Sequence, residues 1–479
     1  MNKMNKNKMM SCLLVLNTLC IVSENVFAGQ FVTMGLKGGQ AELGAMNASL
    51  EQEGHHVSVL NARAGLFESN HSYVQLYHPE ANSGSVKVAN RDVAIAFPGQ
   101  LTSDSLMEGL LKIQAAKTYG ANEVIVYHSG AQPLQIEDSN AANCLNFEEL
   151  IAAAGADVLN ENGEAKALSP NKRIKNKVSK PDFWIGGSSH PELMAEIAQT
   201  LGKRPVSFAA IQQNGAELKG RKIYWVSANQ PWVNPMFFET LGEIRWMQQQ
   251  GAVVHLIAPY LPYARSDKPD FKVGETAQGR LAADLIEAVG THGITVVRAH
   301  APQSMGFFKI HAQDISGRPT IENFLKDSGI EAVVSPDAGF QKDATKYQQE
   351  LNKIYGGAKN VTLTVMNKER KDGKEGILGG TGLENVRGRN VVIIDDETAT
   401  GGTLGKVAEA LQAYQPKSIF AVVTHLAGPA KGSLNSPYIS KLVVTNTVPL
   451  SLEALQNPKL KVLSIASEIA EGIRKSENN

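Results

Sequence analysis

The sequence predicts an α/β protein built on parallel sheets. Short, continuous runs of β-branched and apolar residues recur along the chain, and helix-length stretches separate them. Glycine is plentiful, at 43 of 479 residues, while aromatics make up 6%. Apolar strands alternating with helices are what a sheet covered on both faces requires; the tight turns such a sheet needs at its strand ends account for the glycine. A chain of 479 residues exceeds what one hydrophobic core holds, so two or three domains are expected. With 43% hydrophobic and 20% charged residues, and 47 Lys+Arg against 47 Asp+Glu, the composition is globular and neutral. It excludes a disordered tail protein and a basic nucleic-acid-binding surface.

The first element is a leader. Lys3, Lys6 and Lys8 precede an apolar stretch from Met9 to Val22, and Val26-Phe27-Ala28 forms a small-x-small pattern before Gly29. Residues 1–28 therefore read as a cleaved signal peptide, which predicts export to a periplasm or the cell exterior. The stretch is interrupted by Ser11, Asn17 and Thr18 and is too short for a membrane span. Cys12 and Cys20 would leave with it, so Cys144 stays alone and no intramolecular disulfide or cysteine metal site is available.

Next comes a repeat. Arg91–Gly99, a helix-like Ser105–Tyr119 and Glu123–Tyr127 are matched by Arg221–Ser227, a helix-like Pro235–Gln250 and Val253–Ile257. Each copy reads strand, helix, strand. Phe147–Leu159 likewise parallels Gly279–Ile294, extending the correspondence through the following helix. Between the copies, Asn160–Lys180 is polar and rich in lysine, the composition of a linker. The domain boundaries expected are 29–165 for a degenerate first copy, 166–182 for the linker, 183–315 for the second copy and 316–479 for a third unit.

In that third unit, Ala332–Ser335, Val361–Met366, Val391–Asp395, Ile419–Thr424 and Lys441–Thr445 read as strands, with helix-like stretches such as Gly405–Tyr414 between several of them. Ligands in such sheets bind beyond the carboxyl ends of strands. There stands Val391-Val-Ile-Ile-Asp-Asp-Glu-Thr-Ala-Thr-Gly-Gly-Thr403, a strand ending in two acids followed by a Thr/Gly turn that opens a helix. The first amides of that helix would form an anion nest for a phosphate, with Thr400 and Thr403 adding hydroxyls and Gly401 and Gly402 allowing close backbone approach. Asp395 and Asp396 cannot face a bare phosphate, but they suit sugar hydroxyls or a bridging Mg²⁺. A phosphosugar with free hydroxyls is the ligand implied.

This motif resembles the phosphoribosyl diphosphate signature of the type I phosphoribosyltransferases. Five further blocks, Pro259–Lys268, Ala299–Phe308, Val334–Gly339, Asn367–Lys371 and Val443–Pro449, occur in the order seen in the ribose-phosphate diphosphokinases. The resemblance runs from Gly187-Ser-Ser-His-Pro-Glu-Leu193 to the C-terminus and implies tandem parallel-sheet phosphoribosyltransferase-type domains, with residues 29–165 a decayed extra copy of the first. It implies transfer of the diphosphoryl group of MgATP to the C1 hydroxyl of ribose 5-phosphate, releasing AMP. Carried over by position, Arg265, Asp267 and His300 would contact ATP, and His300 and Asp337 would hold Mg²⁺. Lys368 and Arg370 would be the catalytic basic pair, and Asp395, Asp396, Thr400, Gly402 and Thr403 would bind ribose 5-phosphate.

Several positions depart from the family. Arg298 replaces an acid two residues before the metal-binding histidine, Ser266 replaces a longer amide side chain, Phe340 replaces a glycine after Asp337, and Ala399 replaces the last acid of the phosphosugar loop. Arg298 puts metal binding in question, and a bulky Phe340 would crowd a phosphate. Three readings therefore stand: an active or attenuated diphosphokinase, a non-catalytic nucleotide or phosphosugar binder on the same fold, and a phosphoribosyltransferase. Synthetases complete the adenine pocket with a loop from a neighbouring subunit. Phe208–Leu218 lacks that loop, whereas Phe67–Leu76 resembles it, so the first copy is expected either to pack on the second as an internal pseudo-dimer presenting Phe67 or to leave room for a homo-oligomer.

Overall fold

The computed structural model describes residues 30–36, 43–44, 46–48, 50, 56–59, 61–66, 72–77, 88, 91–98, 101–128, 144–161, 164–169, 176–271, 275–371 and 374–478. The leader and Phe67 lie outside the described residues. Among the described residues, no helix is long and apolar enough to cross a membrane.

Three larger sheets carry the fold. The first contains β1 (Gln30–Gly35), β2 (His56–Val59), β5 (Asp92–Phe97), β6 (Val124–His128), β7 (Val158–Glu161) and β8 (Glu164–Ala167) in the order β2-β1-β5-β6-β7-β8; β3 (Asn61–Leu66) and β4 (Ser72–Tyr77) form a separate antiparallel pair. The second contains β9 (Phe183–Gly187), β10 (Pro205–Val206), β11 (Lys222–Val226), β12 (Val253–Ala258), β13 (Gly293–Val297) and β14 (His311–Ile315) in the order β10-β9-β11-β12-β13-β14, all parallel. Every residue of β12 and β13 is buried, as continuous apolar strands under helices on both faces must be.

The repeat is structural. Helix α1 (Ser103–Thr118) joins β5 to β6 as α4 (Val233–Gln249) joins β11 to β12, and α2 (Phe147–Ala154) precedes β7 as α5 (Gln278–Ala288) precedes β13. Between them lies α3 (Pro191–Thr200). The copies differ at the edge, where β8 pairs antiparallel with β7 and β14 runs parallel to β13. Thus the polar stretch after Asn160 opens with a hairpin rather than running directly as a linker.

The two copies pack through equivalent helices, α1 on α4 and α2 on α5, the arrangement a twofold axis would produce. One apolar cluster runs through both, with Leu106, Leu110, Phe147 and Leu150 on one side and Phe237, Leu241, Ile244 and Leu285 on the other. Helix α4 is buried nearly all round because it is sandwiched between its own sheet and the first copy. Polar contacts fix the register: Asn234 Nδ2 donates to Asp104 Oδ1 at 2.6 Å at the rim, and Arg245 pairs with Glu149, largely buried. Cys144 is half-buried, and burial followed by the nearby Glu239 raises its thiol, the reverse of what a nucleophile needs.

Burial also sets a pH response. His255 is buried on β12 and pairs with Thr295 Oγ1 at 2.8 Å. Burial, then Lys222, pushes its pKa from 6.5 down to about 3. Below 6.5 the unfolded chain takes up a proton that the folded chain refuses. Stability therefore falls with pH by up to about 1.4 kcal/mol per unit from this group until the folded pKa is reached. His255→Gln is expected to flatten the Tm–pH curve between about pH 6.5 and 4.5; an unchanged slope in a thermal melt series would contradict it.

The third sheet contains β15 (Ala332–Ser335), β16 (Thr362–Lys371), β17 (Lys374–Thr381), β18 (Asn390–Thr398), β19 (Ser418–Leu426), β20 (Lys441–Thr445) and β21 (Leu460–Leu463) in the order β17-β16-β15-β18-β19-β20-β21, parallel except for β17. Around it lie α6 (Arg318–Leu325), α7 (Gln341–Ile354) and α8 (Gly402–Leu411). The last helix, α9 (Ala466–Asn478), returns to the second sheet: Ile465, Ile469 and Ile473 pack with Ile185, Leu193 and Ile197. Two motif blocks meet at this junction, where His190 Nε2 donates to the Asn446 carbonyl at 2.8 Å. The second and third sheets are thereby clamped with their strand ends facing.

Candidate functional site

β18 forms because Val391-Val-Ile-Ile394 is β-branched, and it stops at a turn only glycine permits. Gly401 has φ +74°, and a Cβ there would lie 2.4 Å from Ser433 Oγ and 2.5 Å from its nitrogen. The chain reverses over this point and starts α8, whose first-turn amides have no intrahelical acceptors. Thr400 Oγ1 accepts from Gly402 N at 3.4 Å, and Thr400, Gly402 and Thr403 are all partly exposed at the mouth. The local anion nest expected from the sequence has the right backbone.

Before this turn the acids diverge electrostatically. Asp395 is raised well above the ordinary carboxylate range by burial, with the negative charges of Asp396 and Asp337 adding to it. Burial would raise Asp396 too, but the hydrogen bond from His300 Nδ1 to its Oδ2, at 2.6 Å, together with Arg298 and His425, holds it low. His300 is correspondingly raised, first by that hydrogen bond. The adjacent carboxyls are thus pushed in opposite directions, Asp395 up and Asp396 down, a polar pair suited to vicinal hydroxyls.

His300 reaches this pair from the loop after β13, so the second sheet faces the third directly across the cleft. Arg265, after β12, does the same: its Nε lies 3.0 Å from Glu397 Oε1, while the side chain stays 55% exposed. Asp267 is held from beside it, accepting from Gln303 Nε2 at 2.9 Å. Ser266 is turned back into its own loop, donating to the Thr276 carbonyl at 2.9 Å. Asp337 caps the turn after β15 by accepting from Phe340 N at 3.1 Å, close enough to Asp395 to raise it. Lys368 and Arg370 stand on β16. β16 pairs with β15 only as far as Val365; beyond it, Lys368 and Arg370 run along a two-stranded arm opposite Ile377 and Glu375.

The departures prove to be paired with one another. Arg298 Nη2 donates to Asp343 Oδ2 at 2.7 Å, and its guanidinium lies 5.4 Å from the centroid of the Phe340 ring. Phe340 is buried in the apolar cluster with Ile321 and Tyr347, so its ring points into the core instead of crowding the phosphate approach. Arg298 is likewise committed to α7, its charge balanced there.

Sequence reasoning did not single out Glu397, Tyr260, His425 or Asp343. Glu397 was visible as a third acid in the loop. His425 is buried on β19, lowered to about 4 by burial, donates from Nε2 to the Arg298 carbonyl at 3.1 Å and meets Tyr260 edge-on at 5.1 Å. Only the fold brings it there. Among the described residues no three His, Cys, Asp or Glu side chains converge into a metal cage. The part-buried carboxyl of Asp337, beside the cleft, would instead suit a hard cation held largely by substrate phosphates and water.

Fold and site together define an α/β protein of stacked doubly wound units with a phosphate-type loop at the carboxyl edge of its last sheet. Residues 184–290 match the N-terminal domain of ribose phosphate pyrophosphokinase, and residues 361–479 match the phosphoribosyl synthetase-associated domain. The chain is 31% identical over 311 residues to ribose-phosphate pyrophosphokinase A of Dictyostelium discoideum, spanning 61% of this chain and 94% of the relative. It is 31% identical over 316 residues to the ribose-phosphate pyrophosphokinase of Streptomyces coelicolor, spanning 63% and 94%. The crystal structure of phosphoribosylpyrophosphate synthetase from Mycobacterium smegmatis superposes with a TM-score of 0.54 at 26% identity, over 62% of this chain and all of that one. The chain belongs to the ribose-phosphate pyrophosphokinase family.

Proposed function

We propose that the protein synthesises phosphoribosyl diphosphate from MgATP and ribose 5-phosphate. The observation that carries this reading is the Asp395–Asp396 pair on β18, placed beside the Gly401 turn and faced across the cleft by His300 and Arg265. The C1 hydroxyl oxygen of the sugar attacks the β-phosphorus of ATP, the bond to the α-phosphate bridging oxygen breaks, AMP leaves, and the hydroxyl proton is released. Asp395 and Asp396 accept and orient the ring hydroxyls. Thr400, Gly402 and Thr403 receive the 5-phosphate through hydroxyls and helix-end amides.

Arg265 and Asp267 hold ATP from the opposite wall, with His300 beside them. Asp337, with His300 on its flank, takes the Mg²⁺ side of the nucleotide; Mg²⁺ neutralises the triphosphate when bound. Lys368 and Arg370 close from their arm on the diphosphoryl group as charge redistributes, since such transfers depend on alignment and cations. The pairing of Arg298 with Asp343 supports an active site over a merely binding one, because it removes the like-charge conflict. The leader extends the proposal to an exported enzyme.

The test is ³¹P NMR of the chain from Gly29 with ATP, Mg²⁺ and ribose 5-phosphate. AMP and a C1-diphosphate are expected to appear together; ATP binding without turnover would leave only the binding protein. Lys368→Ala is expected to lower kcat by about 10²–10³ with ATP affinity changed far less. Equal losses in affinity and kcat would reassign it to ground-state binding.

A further inference from the structure

Glu397 is the acid of the loop that the proposed chemistry leaves unused. It stands on β18 opposite His425 of β19, and its side chain is only 4% exposed. Its surroundings come from both halves of the cleft: Tyr260 after β12 packs with Ala427 and Val448 into a small apolar cluster, and the Tyr260 hydroxyl also engages Glu397. A carboxyl so enclosed is retained only where a cation and a hydrogen bond offset its lost hydration. The cation is Arg265, reached from the other sheet.

The way they meet matters. Arg265 Nε comes within 3.0 Å of Glu397 Oε1 as an ion pair without hydrogen-bond alignment, since Oε1 has no hydrogen-bond partner among the described residues, and the arginine side chain remains 55% exposed. Engagement at Nε leaves the two terminal nitrogens free to form the planar fork that recognises phosphate oxygens in pairs. A surface arginine otherwise loses considerable rotamer freedom on closing over an anion. We propose that Glu397 is a positioning residue that holds Arg265 by its Nε so that its terminal nitrogens face the phosphates of the nucleotide. This rests on the reading of Arg265 as an ATP-binding residue. It adds a buried strut running from the phosphosugar loop to the nucleotide wall, so that the two substrate subsites are braced by one ion pair.

Calorimetry on the full chain, with ATP and ribose 5-phosphate titrated separately, tests it with Glu397→Met, Glu397→Gln, Arg265→Ala and the Arg265→Ala/Glu397→Met double variant. Glu397→Met is expected to weaken ATP binding about tenfold, and Glu397→Gln, which keeps the shape but removes the charge of the ion pair, to weaken it nearly as much. Ribose 5-phosphate affinity is expected to be unchanged in both, showing that the neighbouring loop is intact. KM for ATP rises while kcat at saturating ATP stays within about threefold of the parent. The double variant is expected to bind ATP no more weakly than Arg265→Ala alone, because the strut acts only through the arginine.

Parent-like ATP affinity in Glu397→Met, or losses that add in the double variant, would overturn the proposal. So would a matched loss of ribose 5-phosphate affinity, which marks a merely structural carboxyl. If Glu397→Met does not fold, the isosteric Glu397→Gln decides by the same split. A parent chain that binds no ATP would instead overturn the reading of the site itself, an outcome visible before any variant is compared.

Discussion

Replacing Asp395 and Asp396 together by alanine is expected to abolish measurable ribose 5-phosphate binding and to lower kcat/KM by about 10³, the loss of two charge-assisted or polar contacts to sugar hydroxyls. The two carboxyls do not act alike. Burial beside two other acids pushes Asp395 up, while the hydrogen bond from His300 holds Asp396 down. Asp396→Asn alone should therefore leave a second signature: the pKa of His300, raised chiefly by its hydrogen bond to Asp396, falls back toward 6.5. Calorimetry measures the first effect and histidine-resolved NMR titration the second. Ribose 5-phosphate affinity surviving in the double variant would remove the basis for placing the sugar here.

The second large effect concerns the first copy. A chain beginning at Asn176 is expected to associate more than the parent, forming additional dimers or larger aggregates, because it exposes the faces of α4 and α5 that share an apolar cluster with α1 and α2. Exposed contiguous apolar surface of this kind drives association. Light scattering after gel filtration reads the outcome; a monodisperse monomer with the parent's Tm would show that the copies merely touch. Arg245→Leu tests the same contact within the intact chain. It leaves Glu149 buried without its cation, which costs roughly 3–5 kcal/mol in comparable buried pairs. Relatives spanning 61–63% of this chain are matched over 94% of their own length, and the two family-model matches start no earlier than residue 184, after the first copy.

Much of this was legible in the chain itself. Ala332–Ser335 and Lys441–Thr445 emerge as strands with the predicted bounds, and Val391–Asp395 sits within a longer one. Period and β-branching speak for themselves when a strand is buried on both faces. The Gly401 turn was readable too, because a left-handed backbone beside Ser433 leaves room for glycine alone. By contrast, the β16–β17 arm was missed: Lys368 to Lys371 are all charged and carry no strand period, and pairing alone makes them a hairpin. Asn160 and Glu161 looked like linker for the same reason.

By itself, then, the sequence determined the alternation of strands and helices, the duplication, the phosphate turn and the family, since each depends on neighbours a few residues apart. Tertiary structure decided how the charges pair. Arg298 reaches Asp343 across 45 positions and His300 reaches Asp396 across 96, while Arg265 finds Glu397 from the opposite sheet. A residue read as a like-charge intruder became a neutralised one, and two adjacent aspartates were shifted in opposite directions. Coulomb energy and desolvation depend on distance and burial, and for groups this far apart in the chain both are set only when the sheets close on each other.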